Sequence, residues 1–151
     1  MILPYTHPLL KGKPCLVHQY FVPSMDLFCR YLEICKLEAH VNSSHRTNTN
    51  VSGAIVKPAK VSNHLVGCAI DVNIIEDGKM LSSAVMTKPT NRFLQFVGLV
   101  RRSDILRWGG DFSPDENGKT DPVHFDIAIN IRNRKKYDEI INELYKKPLT
   151  I

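Results

Sequence analysis

The chain has 151 residues, 43% hydrophobic and 23% charged, with a formal net charge of +5. This composition argues against a disordered chain, and the length suits one domain with its own core, expected over residues 1–151. No apolar run approaches the ~20 residues needed to cross a bilayer, and no nucleic-acid-reading motif accompanies the modest basic excess.

Four cysteines, Cys15, Cys29, Cys35 and Cys68, form no CxxC pair and lack the density of a disulfide scaffold. Reduced core thiols are the expectation. The first residues show no basic segment followed by an apolar one, so no secretory signal is expected.

Residues 1–23 carry Pro4, Pro8, Pro14 and Pro23 and are expected to wrap the surface, with a short strand near Leu16–Phe21. His7 and His18 read as surface or packing histidines. Ser24 is a candidate N-cap for a helix in which Phe28, Tyr31, Leu32 and Cys35 share one face, ending near Glu38. From His40 the chain reads as a strand, then as a long loop over 48–60 whose length suggests function or mobility. Arg46 stands where that loop begins and, on spacing alone, is a solvated charge.

The stretch Cys68–Ile75 alternates strictly, with Cys68, Ile70, Val72 and Ile74 on a buried face and Asp71 and Asn73 on a face that opens to a cleft. Glu76-Asp77-Gly78-Lys79 supplies a turn. Residues 91–102 are helical in period, with a basic last turn suited to the negative end of the helix dipole. Trp108-Gly109-Gly110-Asp111-Phe112 follows, then a solvent loop over 113–118 that matches a calcium-binding loop poorly, since Ser113 and His124 stand where acidic ligands belong. His124–Ile129 reads as a strand with Phe125, Ile127 and Ile129 inward, and Tyr137, Ile140, Ile141 and Leu144 mark a C-terminal amphipathic helix. The order of elements suits an α+β fold: an antiparallel sheet with flanking helices.

Two imidazoles and a carboxylate, His64, Asp71 and His124, form a candidate ligand set for one Zn2+ ion, because three protein ligands and an open position are how catalytic zinc sites are built. Gly67 lets the loop carrying His64 turn back toward Asp71, and Asp121, three residues before His124, is a carboxylate that could move protons beside the metal. The spacing alone leaves open a core carboxylate with two buried histidines.

The segment Ser62-x-His64-x-x-Gly67-x-Ala69-x-Asp71 resembles the SxHxxGxAxD signature of the hedgehog/DD-peptidase superfamily, which includes zinc D-alanyl-D-alanine carboxypeptidases and dipeptidases and phage L-alanyl-D-glutamate endopeptidases. Asp121-x-x-His124-Phe125-Asp126 is similar to its second motif, Trp108-Gly109-Gly110-Asp111-Phe112 to the WGGDW-type segment of endolysins, and Ser44-His45-Arg46-Thr47 to an SGYRS-type segment, so the resemblance runs over about 43–127. It implies a hedgehog/DD-peptidase-like fold, His64, Asp71 and His124 as zinc ligands, Asp121 as general base, and Arg46 as partner of the scissile carbonyl or a substrate carboxylate. Ser62, Trp108 and His45 are the implied substrate contacts, although His45 and Phe112 depart from the common residues at their positions.

The implied function is hydrolysis of peptidoglycan stem peptides. The Asp at the base position favours an L-alanyl-D-glutamate endopeptidase over a D-alanyl-D-alanine carboxypeptidase or dipeptidase. A non-catalytic zinc-stabilised module that only binds a peptide or wall fragment is the rival, and the presence of Asp121 counts against it. The expectations are completed by a monomer with no nucleic-acid or membrane partner, made in the cytoplasm and acting on cell wall after release or non-classical export.

Overall fold

The alternating stretch around Asp71 becomes the middle of a sheet. The structure is a computed structural model that describes residues 1–47 and 61–146, so the long loop read over 48–60 lies outside the described residues. Strands β1 (Ile2–Tyr5), β2 (Leu10–Gly12) and β3 (Cys15–His18) are followed by helix α1 (Val22–Cys35) and strand β4 (Glu38–Ser43). A 3-10 turn over Asn63–Val66 leads into β5 (Ala69–Glu76), β6 (Lys79–Met80), α2 (Ser83–Met86) and α3 (Asn91–Arg102). Strands β7 (Arg107–Trp108) and β8 (His124–Asp126) and helices α4 (Ile129–Arg132) and α5 (Arg134–Tyr145) complete the order.

The main sheet runs β2-β4-β5-β8-β7, with β6 also paired to β5; β1 and β3 form a separate two-stranded sheet. This is the expected α+β class. One correction applies: the sheet is not wholly antiparallel, because β2 pairs with β4 in parallel. That pairing arises from the proline-punctuated N-terminal region, which contributes three short strands where a single one near Leu16–Phe21 was expected.

One face of the sheet is dry. Ile70, Val72 and Ile74 of β5, Val41 of β4 and Phe125 of β8 are fully buried there, with Phe28 and Leu32 of α1 and Phe93, Phe96 and Val97 of α3 in the same core. Phe28 meets Phe96 and Phe125 edge to face, with ring centroids 5.3 and 5.1 Å apart, a geometry the aromatic quadrupole favours. All four cysteines are buried and unpaired, and burial pushes the Cys68 and Cys29 thiols up to about 12, where they are inert.

Local differences from the sequence reading have physical causes. Helix α1 starts earlier than Ser24, since Pro23 is tolerated in a first helical turn whose missing N–H bond costs nothing; Ser24 lies inside the helix. It stops at Cys35 because Lys36 takes a left-handed conformation (φ 55°), which frees Glu38 to begin β4. The Asp77-Gly78 turn has both residues at positive φ, 51° and 78°, the twist that suits a two-residue hairpin between β5 and β6. Strand β8 ends at Asp126, not Ile129, because the Asp126 carboxylate captures the Ala128 N–H at 2.9 Å and turns the chain into α4. No helix among the described residues is long and apolar enough to cross a membrane.

Candidate metal centre

Pairing of β5 with β8 sets Asp71 directly opposite His124 in the register. Both therefore project from the same face of the sheet, away from the aromatic core. His64 arrives from the 3-10 turn, whose start is capped by the Ser62 hydroxyl accepting the His64 N–H at 3.2 Å. The turn ends at Gly67, at φ 69°, where a Cβ would come within 2.6 Å of the His18 backbone nitrogen; only glycine fits, and it sends the chain straight into β5.

The result is a compact cluster. One ligand atom each from His64, Asp71 and His124 lie within 4.8 Å of one another. His64 Nε2 and His124 Nδ1 are each 3.2 Å from the same Asp71 oxygen, Oδ1. His64 is 3% and His124 8% exposed, so the three-residue set is largely withdrawn from solvent.

Each imidazole is oriented through its other nitrogen. His64 Nδ1 lies 2.7 Å from the Ser44 carbonyl oxygen, which can only accept, so Nδ1 carries the proton and Nε2 presents a lone pair. Two electron-rich atoms, His64 Nε2 and Asp71 Oδ1, then face each other at 3.2 Å, an arrangement that a cation between them stabilises. His124 Nε2 donates to Asp126 Oδ2 at 2.7 Å, leaving Nδ1 on the Asp71 side. Two nitrogens, one carboxylate oxygen and hydrogen-bonded second nitrogens are the donor set and the outer shell that a zinc-type ion takes.

Burial of Asp71 would raise its pKa, but the His124 and His64 rings set against its Oδ1 outweigh burial and hold its carboxyl well below the usual carboxylate range. Burial of His124 would lower its pKa, but the bonds to Asp126 and Asp71 raise it to about 9. Asp126 is likewise held low, against the effect of burial, by His124, Arg107 and Asn63.

Asp121 is half-exposed and its Oδ2 is 4.0 Å from His124 Nδ1, so it flanks the cluster without joining it. Burial and the neighbouring Asp71 charge push its carboxyl above the ordinary value, against the pull of the two histidines and Arg46. Gly109 holds its backbone in place: the Gly109 carbonyl accepts the Asp121 N–H at 3.0 Å, and a Cβ on Gly109 would collide with the Asp121 carbonyl oxygen. Gly110 has no room for a Cβ either, because the Trp108 ring lies across it.

Arg46 is exposed, and its N–H donates to the His64 carbonyl at 3.1 Å, which ties the arginine segment to the ligand turn. Trp108 requires a correction as a substrate contact: it is 2% exposed, donates its indole N–H to the Pro122 carbonyl at 2.7 Å and packs edge-on against Phe93. Its place is beneath the Asp121–His124 turn. His45 is turned toward α5, with Nε2 3.0 Å from the Tyr145 hydroxyl, and the Ser62 hydroxyl is engaged as the cap. Phe112 forms a side wall instead, its ring 5.5 Å from that of His124 and under the Arg107 guanidinium at 4.5 Å.

Four residues around the cluster received no role from sequence: Ser44, Asn63, Arg107 and Asp126. Asp126 carried a signal, since it lies two residues from His124 on the same face of the strand. Arg107 carried none, because only the β7–β8 register, which sets it opposite Asp126, reveals the pair.

Residues 56–127 match the sequence model of a family described as D-alanyl-D-alanine carboxypeptidase. Among solved structures, the Serratia marcescens L-Ala D-Glu endopeptidase ChiX aligns with a TM-score of 0.48 and 20% identity, over 76% of this chain and 82% of that one. No curated protein matches the sequence. The family match spans the His64 turn, the Asp71 strand and the Asp121–His124 motif.

Proposed function

We propose that the protein is a zinc-dependent peptidase that hydrolyses peptidoglycan stem peptides, with an L-alanyl-D-glutamate bond as its first candidate. The observation that carries this reading is the convergence of His64, Asp71 and His124 with Asp121 at their side. A zinc ion held by the three ligands would supply Lewis acidity toward a water and the scissile carbonyl.

The rest of the chemistry falls to the chain's own groups. Asp121, with its carboxyl raised by burial and by Asp71, is suited to take a proton from the attacking water and return it to the leaving amine. The exposed Arg46, anchored through its backbone to His64, offers a positive charge to the carbonyl oxygen as negative charge develops, or to a substrate carboxylate. Phe112 walls one side and helps to limit water. A purely binding module has no use for a carboxylate flanking a ligand set, which is why catalysis is preferred.

A second reading, a D-alanyl-D-alanine carboxypeptidase, is favoured by the description of the matching family. The enzyme would act as a monomer on cell wall after release from the cytoplasm or by non-classical export. Digestion of purified peptidoglycan with the zinc-loaded protein, analysed by mass spectrometry, separates these readings. New N-terminal D-Glu is expected, free D-Ala would select the second reading, and stems left intact by the parent protein would defeat both.

A further inference from the structure

The Asp126 carboxylate is 1% exposed, reaches no surface a substrate could touch, and is the meeting point of four segments of the site. Its Oδ2 accepts from His124 Nε2 at 2.7 Å, from the Asn63 amide at 2.9 Å and from Arg107 at 2.8 Å; its Oδ1 accepts from Arg107 Nε and from the Ala128 N–H, both at 2.9 Å. Five donors exceed the roughly four lone-pair directions of a carboxylate, so every direction is used. The bidentate Arg107 pair supplies the charge that allows an anion to sit at this depth.

We propose that Asp126 is a positioning residue that holds both histidine ligands at once: His124 through a direct hydrogen bond, and the His64 turn through the side chain of Asn63. The inference rests on the metal-centre reading above. The direct bond fixes the His124 tautomer with its proton on Nε2, so that Nδ1 is the atom offered to the metal. Asn63 adds the second link: it sits beside His64 in the 3-10 turn, gives its amide N–H groups to Asp126 and to the Asn130 side chain, and accepts the Asn130 N–H at 3.2 Å.

The chemistry makes the consequence specific. In Asp126→Asn, one carboxylate oxygen becomes an NH2 group. If that group faces His124 Nε2, the ring must accept there and move its proton to Nδ1, which blocks the ligand atom. If it faces Arg107, two donors meet.

The test compares zinc affinity, measured by chelator competition, with the tautomer of His124, read from nitrogen chemical shifts in the zinc-loaded protein. Asp126→Asn is expected to bind zinc about 10–100-fold more weakly than the parent. Arg107→Gln, which leaves the His124 bond in place, is expected to lose less affinity even where it loses as much thermal stability. Asn63→Ala, which removes the link from Asp126 to the His64 turn together with the two Asn130 bonds but keeps the His124 bond, should show a loss smaller than that of Asp126→Asn. Zinc binding by Asp126→Asn within twofold of the parent would overturn the proposal, as would unchanged affinity in Asn63→Ala for its second link. Should Asp126→Asn not fold, the parent decides: a proton on His124 Nε2 with zinc bound supports the assignment, and a proton on Nδ1 refutes it. A parent that binds zinc in this way yet cuts no stem peptide would defeat the peptidase reading and leave this one standing.

Discussion

The two histidines of the cluster reach it from opposite kinds of structure. His64 sits in an irregular turn and is aimed by a neutral partner, the Ser44 carbonyl; His124 sits in a strand paired on both sides and is aimed by an anion, Asp126. The turn depends on local devices, a serine cap and a left-handed glycine. The strand depends on sheet register, which sets Asp71 against His124 and Arg107 against Asp126. Orientation is therefore local on one side of the site and long-range on the other, and the second side alone carries charge into the interior.

The strand side also carries the proton-moving group, and removing it is the most severe test. Asp121→Ala is expected to lower kcat by about 10^2–10^4-fold while zinc remains bound at parent affinity, measured by stem-peptide hydrolysis beside a chelator titration. Loss of zinc together with activity would mean that Asp121 belongs to the ligand set.

The anion that aims His124 appears next as a pH effect. In the metal-free protein His124 titrates at about 9, so a metal must displace its proton, and affinity should rise about tenfold per pH unit from pH 7 to 9 and flatten above it. Stability of the metal-free protein should move the other way. A histidine raised above its ordinary 6.5 contributes stability that is complete below that value and is lost as pH rises through about 9. Asp71 and Asp126, both held low, contribute stability above their ordinary range that is lost as pH falls below about 4. Thermal unfolding without metal should show a Tm maximum between these limits; a Tm that climbs from pH 7 to 9 would contradict the sign.

On the turn side, Gly67→Ala puts a side chain at φ 69° and against the His18 backbone, and is expected to cost about 2 kcal/mol in chemical denaturation, with weaker zinc binding as the turn shifts. The smallest effect is expected from Tyr145→Phe. It removes one hydroxyl that donates to the Leu65 carbonyl at 2.6 Å and should cost about 1 kcal/mol of stability.

The same contrast explains what could be read from sequence. The Asp71 strand was legible because Ile70, Val72 and Ile74 repeat with period two, and α3 matched its expected bounds because Phe93, Phe96, Val97 and Val100 repeat with the helical period. His64, Asp71 and His124 were legible as a set because the local spacing is short on one side and the motif distinctive on the other. The Asp126–Arg107 pair was not, because an ion pair 19 residues apart depends on which strands become neighbours. Nor were the parallel β2–β4 pairing and α2 apparent, since three- and four-residue elements carry too few repeats to show a period. The resemblance implied Trp108 as a substrate contact, and its burial was not legible because it depends on the ring folding back across Gly110, which the motif does not state.

Helix α5 gives two tyrosine hydroxyls to the segment around His64, Tyr137 to the Ser62 carbonyl at 3.1 Å and Tyr145 to the Leu65 carbonyl at 2.6 Å. Transplanting residues 61–127 into another scaffold would thus carry over every metal-binding side chain but leave behind the brackets that hold one of them steady. A designer reusing this centre has to import the last helix and the Ser44 carbonyl with it, or build two donors and one acceptor in their place.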